Sequence, residues 1–395
     1  MGGAGRVADA VSMPPPLHVV AAGGGFAAAE LLLALRALAE DRVTLELVSP
    51  SRTLALRAAA TGEPFGASVV EQYDLEALAA EVGAAFRVDR LRAVAAAAST
   101  ASLASGTTVG FDALVLATGA RPQAAVAGAS TYRDQRDAAM ITRLLLDLRA
   151  GAVGSVVFAA PAGVTWTLPL YELALLTARE IDDRGLSASV SVITPEHAAL
   201  EVFGPEASAV VAGQLRARGV RVEYGARARA VSRAGVELAY GGMVPADRVV
   251  AVPRFLGRHV AGVPADWSGF VPTDAHGRVE GLEAVFAAGD MTRFPVKQGG
   301  LATQHADVIA AELARRAGAT VADAPVRHVL RSQLFGADGP LYLHAELDAA
   351  GRTITARGEP SVSTEPPWWP AAKVFGRYLT PWMAQHARGP MSQPA

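Results

Sequence analysis

Residues 17–49 read "LHVVAAGGGFAAAELLLALRALAEDRVTLELVS". A short apolar run, Leu17–Ala22, has the length of a buried strand. Three glycines follow it, then a helical stretch from about Phe26 to Leu38, then a second strand ending near Ser49. Strand, glycine turn, helix and strand make a βαβ unit, and the two strands it joins lie parallel. A chain that begins this way is an α/β protein, with helices covering a parallel sheet.

The rest of the chain extends that pattern. Residues 84–116 alternate weakly between apolar and polar and read as a small antiparallel meander, leading into the strand "FDALVLATG". A second block opens at "GSVVFAAPAG" and runs through the helix "LPLYELALLTAREI", the strand "SASVSVITP", the helix "ASAVVAGQLRARG" and the strand "VRVEYG", closing at "ADRVVAVPRF". "GLEAVFAAGD" is one more strand, followed by a helix from about Leu301 to Arg316. The two blocks resemble each other, each a strand, turn, helix and strand ending in "SP" or "TP". The expected fold has two Rossmann-like dinucleotide-binding domains plus a small C-terminal domain. The boundaries are a flexible tail at 1–16, a first domain split over 17–130 and 262–322, a second over 131–261, and a C-terminal domain over 323–395.

Composition narrows the chemistry. The 395 residues contain no cysteine, which removes disulfides, thiolate metal sites, thiolate nucleophiles and persulfide chemistry. A net charge of −2 gives no basic surplus for nucleic acid. The N-terminal stretch lacks the apolar core of a signal peptide, and no apolar run reaches about 18 residues. The expectation is a soluble cytoplasmic protein. Only two of the 36 Lys+Arg residues are lysines, Lys297 and Lys373.

Three motifs carry chemistry. Gly23-x-Gly25-x-x-Ala28 supplies a tight turn, a close backbone approach for a pyrophosphate, and a small residue where helix packs on strand. The second strand would ordinarily end in an acidic residue that binds a ribose; here Ser49 stands there, and Glu46 lies on the other strand face. Ser49 can bond a ribose hydroxyl more weakly or cap the turn before Pro50. In "LVLATGARP" a strand ends at Thr118-Gly119, where the chain crosses close to a ligand. In "VFAAGD" a buried strand delivers Gly289 and Asp290, whose carboxylate can accept from ligand hydroxyls.

In this order the motifs resemble the two-dinucleotide-binding-domain flavoproteins of the pyridine nucleotide–disulfide reductase superfamily, over about residues 17–320. The resemblance implies FAD held by Gly23, Gly25, Ala28, Ser49, Thr118, Gly119, Gly289 and Asp290, with Phe26 and Val88 in the same cofactor-binding set. "PVKQGGLATQHAD" looks like the group of sulfide:quinone oxidoreductases, flavocytochrome c sulfide dehydrogenases and type II NADH dehydrogenases, and "LVSPS" and "VVAVPRFLG" look more like its sulfide-oxidising branch. That likeness places Lys297, Gln298 and Gly299 at the start of the last helix of the FAD domain. There a compact ammonium and the helix dipole would stabilise an anionic reduced flavin.

The chain departs from the family at the second block. In "FAAPAGVTWTLPLYE", Ala159, Pro161 and Val164 occupy the three glycine places. Proline offers no N–H to a phosphate and valine crowds the packing site, which argues against a conventional NAD(P)H site. Relatives aligned through Tyr171-Glu172 place a redox cysteine near Trp166; here Trp166 either walls the flavin or fills core. In the tail, a helix over Ala371–Gln385 would gather Val374, Phe375, Tyr378, Leu379, Trp382 and Met383 on one face, with Lys373 and Arg377 outside it and Pro381 kinking or ending it. That face suits docking on its own domain, a homodimer contact, or peripheral contact with the inner membrane face. The eight histidines show no metal-ligand spacing, and His305 sits two turns into the last helix.

The expected function is FAD-dependent transfer of two electrons to a quinone or another small acceptor, from a small-molecule donor. The alternatives are an NAD(P)H dehydrogenase with a degenerate second site and a non-catalytic FAD-binding sensor or partner module.

Overall fold

The computed structural model describes residues 15–354 and 361–387. The first βαβ unit is β1 (Leu17–Ala22), α1 (Phe26–Ala39) and β2 (Val43–Ser49). It grows by α2 (Leu75–Glu81) and β3 (Ala84–Val88), a three-stranded antiparallel meander of β4 (Leu91–Ala95), β5 (Thr100–Leu103) and β6 (Thr108–Gly110), and β7 (Ala113–Leu116). The meander thus begins at Leu91, not at residue 84. The preceding helix α2, capped by Asp74, carries the chain across so that Ala84–Val88 pairs parallel with Leu45–Ser49. Such a crossover forces the parallel direction, and an α2 of seven residues left little periodic trace in the sequence.

With β12 (Val285–Ala287), these strands form a five-stranded parallel sheet in the order β12-β7-β1-β2-β3. The central strand explains its own apolar run. Val19 and Ala21 face the cluster built by α1 and α6 (Gly299–Arg316), while Val20 and Ala22 face the meander. Both faces are buried, so the period-2 alternation of a half-exposed strand is lost.

The second block repeats the plan. Helix α3 (Ala138–Arg149) leads to β8 (Ser155–Ala159), α4 (Leu168–Asp183), β9 (Ser189–Ile193), α5 (Pro205–Ala217), β10 (Arg221–Glu223) and β11 (Arg248–Ala251). The sheet order is β11-β8-β9-β10, all parallel, with a two-residue strand at Ser130–Thr131 on the outer edge of β11.

A long hairpin, β13 (His328–Gly336) and β14 (Gly339–Leu347), follows. Leu330, Leu334, Leu341 and Leu343 insert into the core that α4 and α5 share. The last helix, α7, spans only Leu379–His386. It is shorter than the Ala371–Gln385 expectation, and Pro381 sits in its first turn, where a missing N–H costs nothing. Leu379, Trp382 and Met383 pack into the α1–α6 cluster, and the Trp382 indole donates to Glu81 at 2.6 Å. This apolar face is covered by the chain itself. Among the described residues, no helix is long and apolar enough to cross a membrane.

Candidate active site

A cavity of about 650 Å³ opens at the carboxyl ends of the first sheet, the crevice where open α/β sheets bind ligands. The glycine turn forms one wall, and its three glycines do different jobs. Gly23 has φ +142°, and a Cβ there would lie 2.1 Å from the Ala117 carbonyl oxygen. A Cβ on Gly24 would meet the Ser49 hydroxyl at 2.2 Å. Gly25 faces open space with nothing within 4 Å. The first two glycines let β1, β2 and β7 close on the turn; the third leaves the cavity empty where a ligand's phosphates would approach. The first turn of α1 has neither a capping side chain nor an acidic residue, so its amides are left for an anion.

Most of the residues singled out in the sequence reach this cavity. Gly23, Gly25, Phe26, Ser49, Thr118, Gly119, Gly289, Asp290, Lys297, Gln298 and Gly299 all line it. Ala28 does not; it is wholly buried where α1 packs on the sheet. Val88 does not either; it is 47% exposed at the end of β3, while Arg90 and Leu91 just beyond it do line the wall. The Ser49 hydroxyl is engaged locally, donating to the Ser51 carbonyl at 2.7 Å and accepting from the Ser51 amide at 3.1 Å. Glu46 is buried and pairs with Arg87 at 2.9 Å.

Lys297 is buried, two residues before α6. Its ammonium donates to the carbonyls of Thr292 and Phe294, each at 2.6 Å, and lies 3.7 Å from the centroid of the Phe270 ring. Burial pulls its pKa down to about 8, against the opposing pull of Asp290 and Asp266. Burial also raises the Asp290 carboxyl, and Lys297 limits that rise. The Gln298 side chain caps α6 by accepting from Leu301 at 2.9 Å. His305 is satisfied internally: its Nδ1 accepts from the Gly289 amide at 3.2 Å, and its Nε2 lies 3.1 Å from Nε2 of His328. Burial, with His328 and Lys297 adding to it, drives its pKa down to about 3, so it is neutral.

The second lysine is the correction that matters most. Lys373, expected outside an apolar helical face, is buried in the wall of the same cavity. It ion-pairs with Glu172 of α4 and donates to the Gln333 carbonyl at 2.7 Å. Its ammonium stands 3.6 Å from the Phe335 ring centroid, as Lys297 stands over Phe270. Glu172 also accepts from the Thr61 hydroxyl at 2.6 Å and the Phe335 amide at 2.9 Å. Four chain segments meet at this pair. The reason lies in burial: a charge taken from water survives only with a partner and filled hydrogen-bond positions. Glu172, Thr61 and Gln333 had no individual sequence signal. Lys373 did, as one of two lysines in an arginine-rich chain, and both of them reach this cavity.

Arg57, Arg90 and Arg258 line the cavity as well. Burial, then the neighbouring charges of Arg90, Arg121 and Arg57, hold the Arg258 guanidinium below its ordinary pKa. Like charges gathered this closely fit an anionic ligand. Trp166 combines its two sequence readings: it lines the cavity and meets Phe203 edge-on, centroids 6.0 Å apart. A second cavity, of about 200 Å³, lies against the C-terminal segment and shares Gln333 and Lys373 with the first. Leu56, Val69, Phe335 and Met383 give it apolar walls.

In the second block the carboxylate just beyond β9 is engaged within the protein. Glu196, just beyond β9, accepts from Thr167 at 2.9 Å, Tyr171 at 2.7 Å and Thr194 at 2.9 Å. Burial holds its carboxyl above the ordinary range despite these three donors. Pro169 stands in the first turn of α4, and Trp166, Leu168, Pro169 and Glu172 turn that helix start towards the large cavity.

Comparison with known proteins agrees with this layout. The family model described as pyridine nucleotide-disulphide oxidoreductase matches residues 17–309. Among solved structures, the chain is similar to a sulfide:quinone oxidoreductase from the hyperthermophilic bacterium Aquifex aeolicus, with TM-score 0.75, 21% identity and 84% of each chain covered. A ferredoxin reductase from Rhodopseudomonas palustris gives TM-score 0.65 at 22% identity, covering 83% of this chain and 82% of that one. A NAD-dependent persulfide reductase from A. fulgidus gives TM-score 0.62 at 18% identity, covering 83% and 64%. At these identities the structures speak to the fold. No curated protein matches the chain. The family match runs from the first strand well into α6, through the glycine turn, Thr118-Gly119 and Asp290, and the chain belongs to the FAD-dependent pyridine nucleotide-disulphide oxidoreductases.

Proposed function

We propose that the chain is an FAD-dependent oxidoreductase that passes two electrons from a small donor to a quinone-class acceptor, without cysteine chemistry. The observation that carries the acceptor assignment is the pair of adjoining cavities. One has a glycine turn, open helix amides and three arginines; the other has largely apolar walls, with Ser68 and Glu71 among them, and lies along the C-terminal segment; Gln333 and Lys373 line both. A quinone has a polar, redox-active head and an apolar tail, and the smaller cavity, beside the one that would hold the flavin, offers apolar walls for such a tail.

When bound, FAD supplies reversible two-electron chemistry coupled to protons. The chain's residues would hold it as follows. Gly25 and the first turn of α1 would receive the diphosphate, with Arg57, Arg90 and Arg258 supplying positive charge around it. Asp290 would accept from its hydroxyls, beside Thr118, Gly119 and Gly289. Phe26, Gln298 and Gly299 would shape the wall where α1 and α6 meet, and Ala28 would keep α1 close to the sheet. Ser49 would flank the far end, with its hydroxyl already used in its own turn, and Val88, outside the cavity, would only pair β3 to β2 beside it. Lys297 would add positive potential from behind Asp290.

Glu172 and Lys373 would manage the protons that accompany reduction of a quinone. Lys373 Nζ is a proton donor at the boundary between the two cavities, and Glu172, itself held by the Thr61 hydroxyl, keeps it charged and in place; water entering the cavity would restore the proton it gives up. Trp166 and Leu168 add apolar surface to the wall of the large cavity. The absence of any cysteine leaves no thiolate to form a persulfide or a disulfide with the donor.

NADH and NADPH are the second reading, since the family includes users of both. The internal engagement of Glu196 with Thr167, Tyr171 and Thr194 weighs against it, because a carboxylate just beyond the second strand of the block, where a ribose partner would stand, already has three donors.

The test is anaerobic. Protein loaded with FAD is mixed with NADH or NADPH, and separately reduced by dithionite and mixed with a short-chain ubiquinone analogue. The expected result is no bleaching of the flavin band by either nucleotide and rapid reoxidation by the quinone. Rapid bleaching by a nucleotide would establish the second reading, and failure of the quinone to reoxidise the protein would remove the first.

A further inference from the structure

Two carboxyl groups outside the cavity face each other in the interface between α1 and α6. Glu30 of α1 is wholly buried. Its carboxylate accepts from two successive backbone amides at the start of α7, Tyr378 at 2.8 Å and Leu379 at 2.6 Å. Asp307 of α6 lies close enough to Glu30 for the two carboxyls to act on each other, and one of its oxygens, Oδ1, is buried without a partner. The segment between the cavity and α7 is fastened at the same place. Gly376 sits so close to Glu30 that a Cβ there would lie 2.5 Å from Oε2. The Gly376 amide donates to the Thr380 hydroxyl at 2.7 Å, and Thr303 donates to the Phe375 carbonyl at 2.8 Å. Three residues upstream of Gly376 stands Lys373.

We propose that Glu30 and Asp307 share one proton and thereby clamp residues 376–379 to α1 and α6, so that Lys373 is held in the cavity wall. They are positioning residues for Lys373, and the clamp loosens as the pair loses its proton. The proposal rests on the large cavity being the reaction site.

The assignment of the proton follows from the donors present. Glu30 receives two backbone amides, which favour its ionised form. Asp307 receives no backbone donor, so the shared proton resides on it and points to Glu30. Burial, then the neighbouring Glu30, push the Asp307 carboxyl up to about 9, and Arg377 opposes that rise. The other charged or titratable groups facing the pair are Arg377 and Tyr378, both on the clamped segment. Loss of the proton sets two carboxylates against each other inside the interface, with only the exposed Arg377 nearby.

The sign of the pH effect is fixed by linkage. Asp307 binds its proton more tightly in the clamped state than in an opened one, where it returns to the ordinary carboxylate range. The clamp is tightest at low pH and weakens as pH rises towards about 9, where the effect levels off. One proton lost per opening makes the opening equilibrium grow up to about tenfold per pH unit across that window.

Hydrogen exchange on the FAD-loaded full chain tests this, read at the Tyr378 and Leu379 amides from pH 6 to 9 and corrected for intrinsic exchange. Wild-type protection should fall up to tenfold per pH unit, and Asp307→Asn should hold it flat, since an amide there never ionises. Glu30→Ala should lose protection at every pH; if it fails to fold, Asp307→Asn decides alone. The same samples are acylated with acetic anhydride and mass-analysed, with Lys297 as internal control. Lys373 labelling relative to Lys297 should rise at pH 9 in the wild type and not in Asp307→Asn. Flat protection in the wild type, or an equal slope in Asp307→Asn, would overturn the clamp. Loss of protection without added Lys373 labelling would overturn its positioning role. None of these readouts depends on the donor or acceptor, so they stand apart from any failure of the quinone assay.

Discussion

Replacing Lys373 by Met removes one member of a buried ion pair and leaves the other. Glu172 would keep two donors, the Thr61 hydroxyl at 2.6 Å and the Phe335 amide at 2.9 Å, but lose its only counter-charge. Removing one partner of such a pair costs about 3–5 kcal/mol. The two surviving charge-assisted bonds offset about 1–2 kcal/mol of this. The net expectation is a loss of about 2–3 kcal/mol. Urea unfolding at pH 7, followed by far-UV circular dichroism at fixed excess FAD, reads it as a lower midpoint at unchanged slope. The double variant Glu172→Gln/Lys373→Met keeps neither charge of this pair and should recover at least half of the loss, a coupling that a double-mutant cycle isolates. If Lys373→Met costs under about 0.5 kcal/mol, or the double variant is no better than the single, the pair is not what joins these four segments. The same variant should slow reoxidation by quinone about tenfold or more, the usual scale for a lost proton donor.

Other outcomes follow from the same geometry. Gly25→Val should abolish FAD binding while leaving the apo-protein folded, because its side chain enters open cavity; equilibrium dialysis and circular dichroism together check this. Gly23→Ala should destabilise the fold itself, since the new Cβ meets the Ala117 carbonyl at 2.1 Å on a backbone with positive φ. Lys297 is depressed to about 8 in the folded chain, so the cost of burying its charge is full below pH 8 and is relieved as pH rises towards 10.5. Stability should therefore rise by up to about 3 kcal/mol across that interval in the wild type and less in Lys297→Met, as denaturation curves at several pH values would register. Lys297→Ala should also lower the reduction potential of bound FAD; an unchanged potential would confine Lys297 to tying the turn at Thr292 and Phe294.

The sequence by itself determined the parallel-sheet architecture. An apolar strand, a glycine turn and an alanine-lined helix are local features, and the steric demands of Gly23 and the packing of Ala28 follow from neighbours within a few residues or one adjacent strand. The strand ends at Thr118-Gly119 and Asp290 were legible for the same reason: each follows a buried apolar run that has no other course than the sheet. The sequence also marked both lysines as unusual, through nothing more than residue choice. What it could not say was where Lys373 goes. Helical periodicity put that residue outside the apolar face, because periodicity assumes one continuous helix and sees only neighbours three or four positions away. The tertiary structure decided otherwise. Glu172, 201 positions earlier, and Thr61 and Gln333 from two further segments, together make burial of that charge tolerable. The same holds for Glu30 with Asp307 and for Glu196 with Thr167 and Tyr171. A buried charge is settled by the sum of desolvation and partners, and those partners come from segments that only the folded chain brings together.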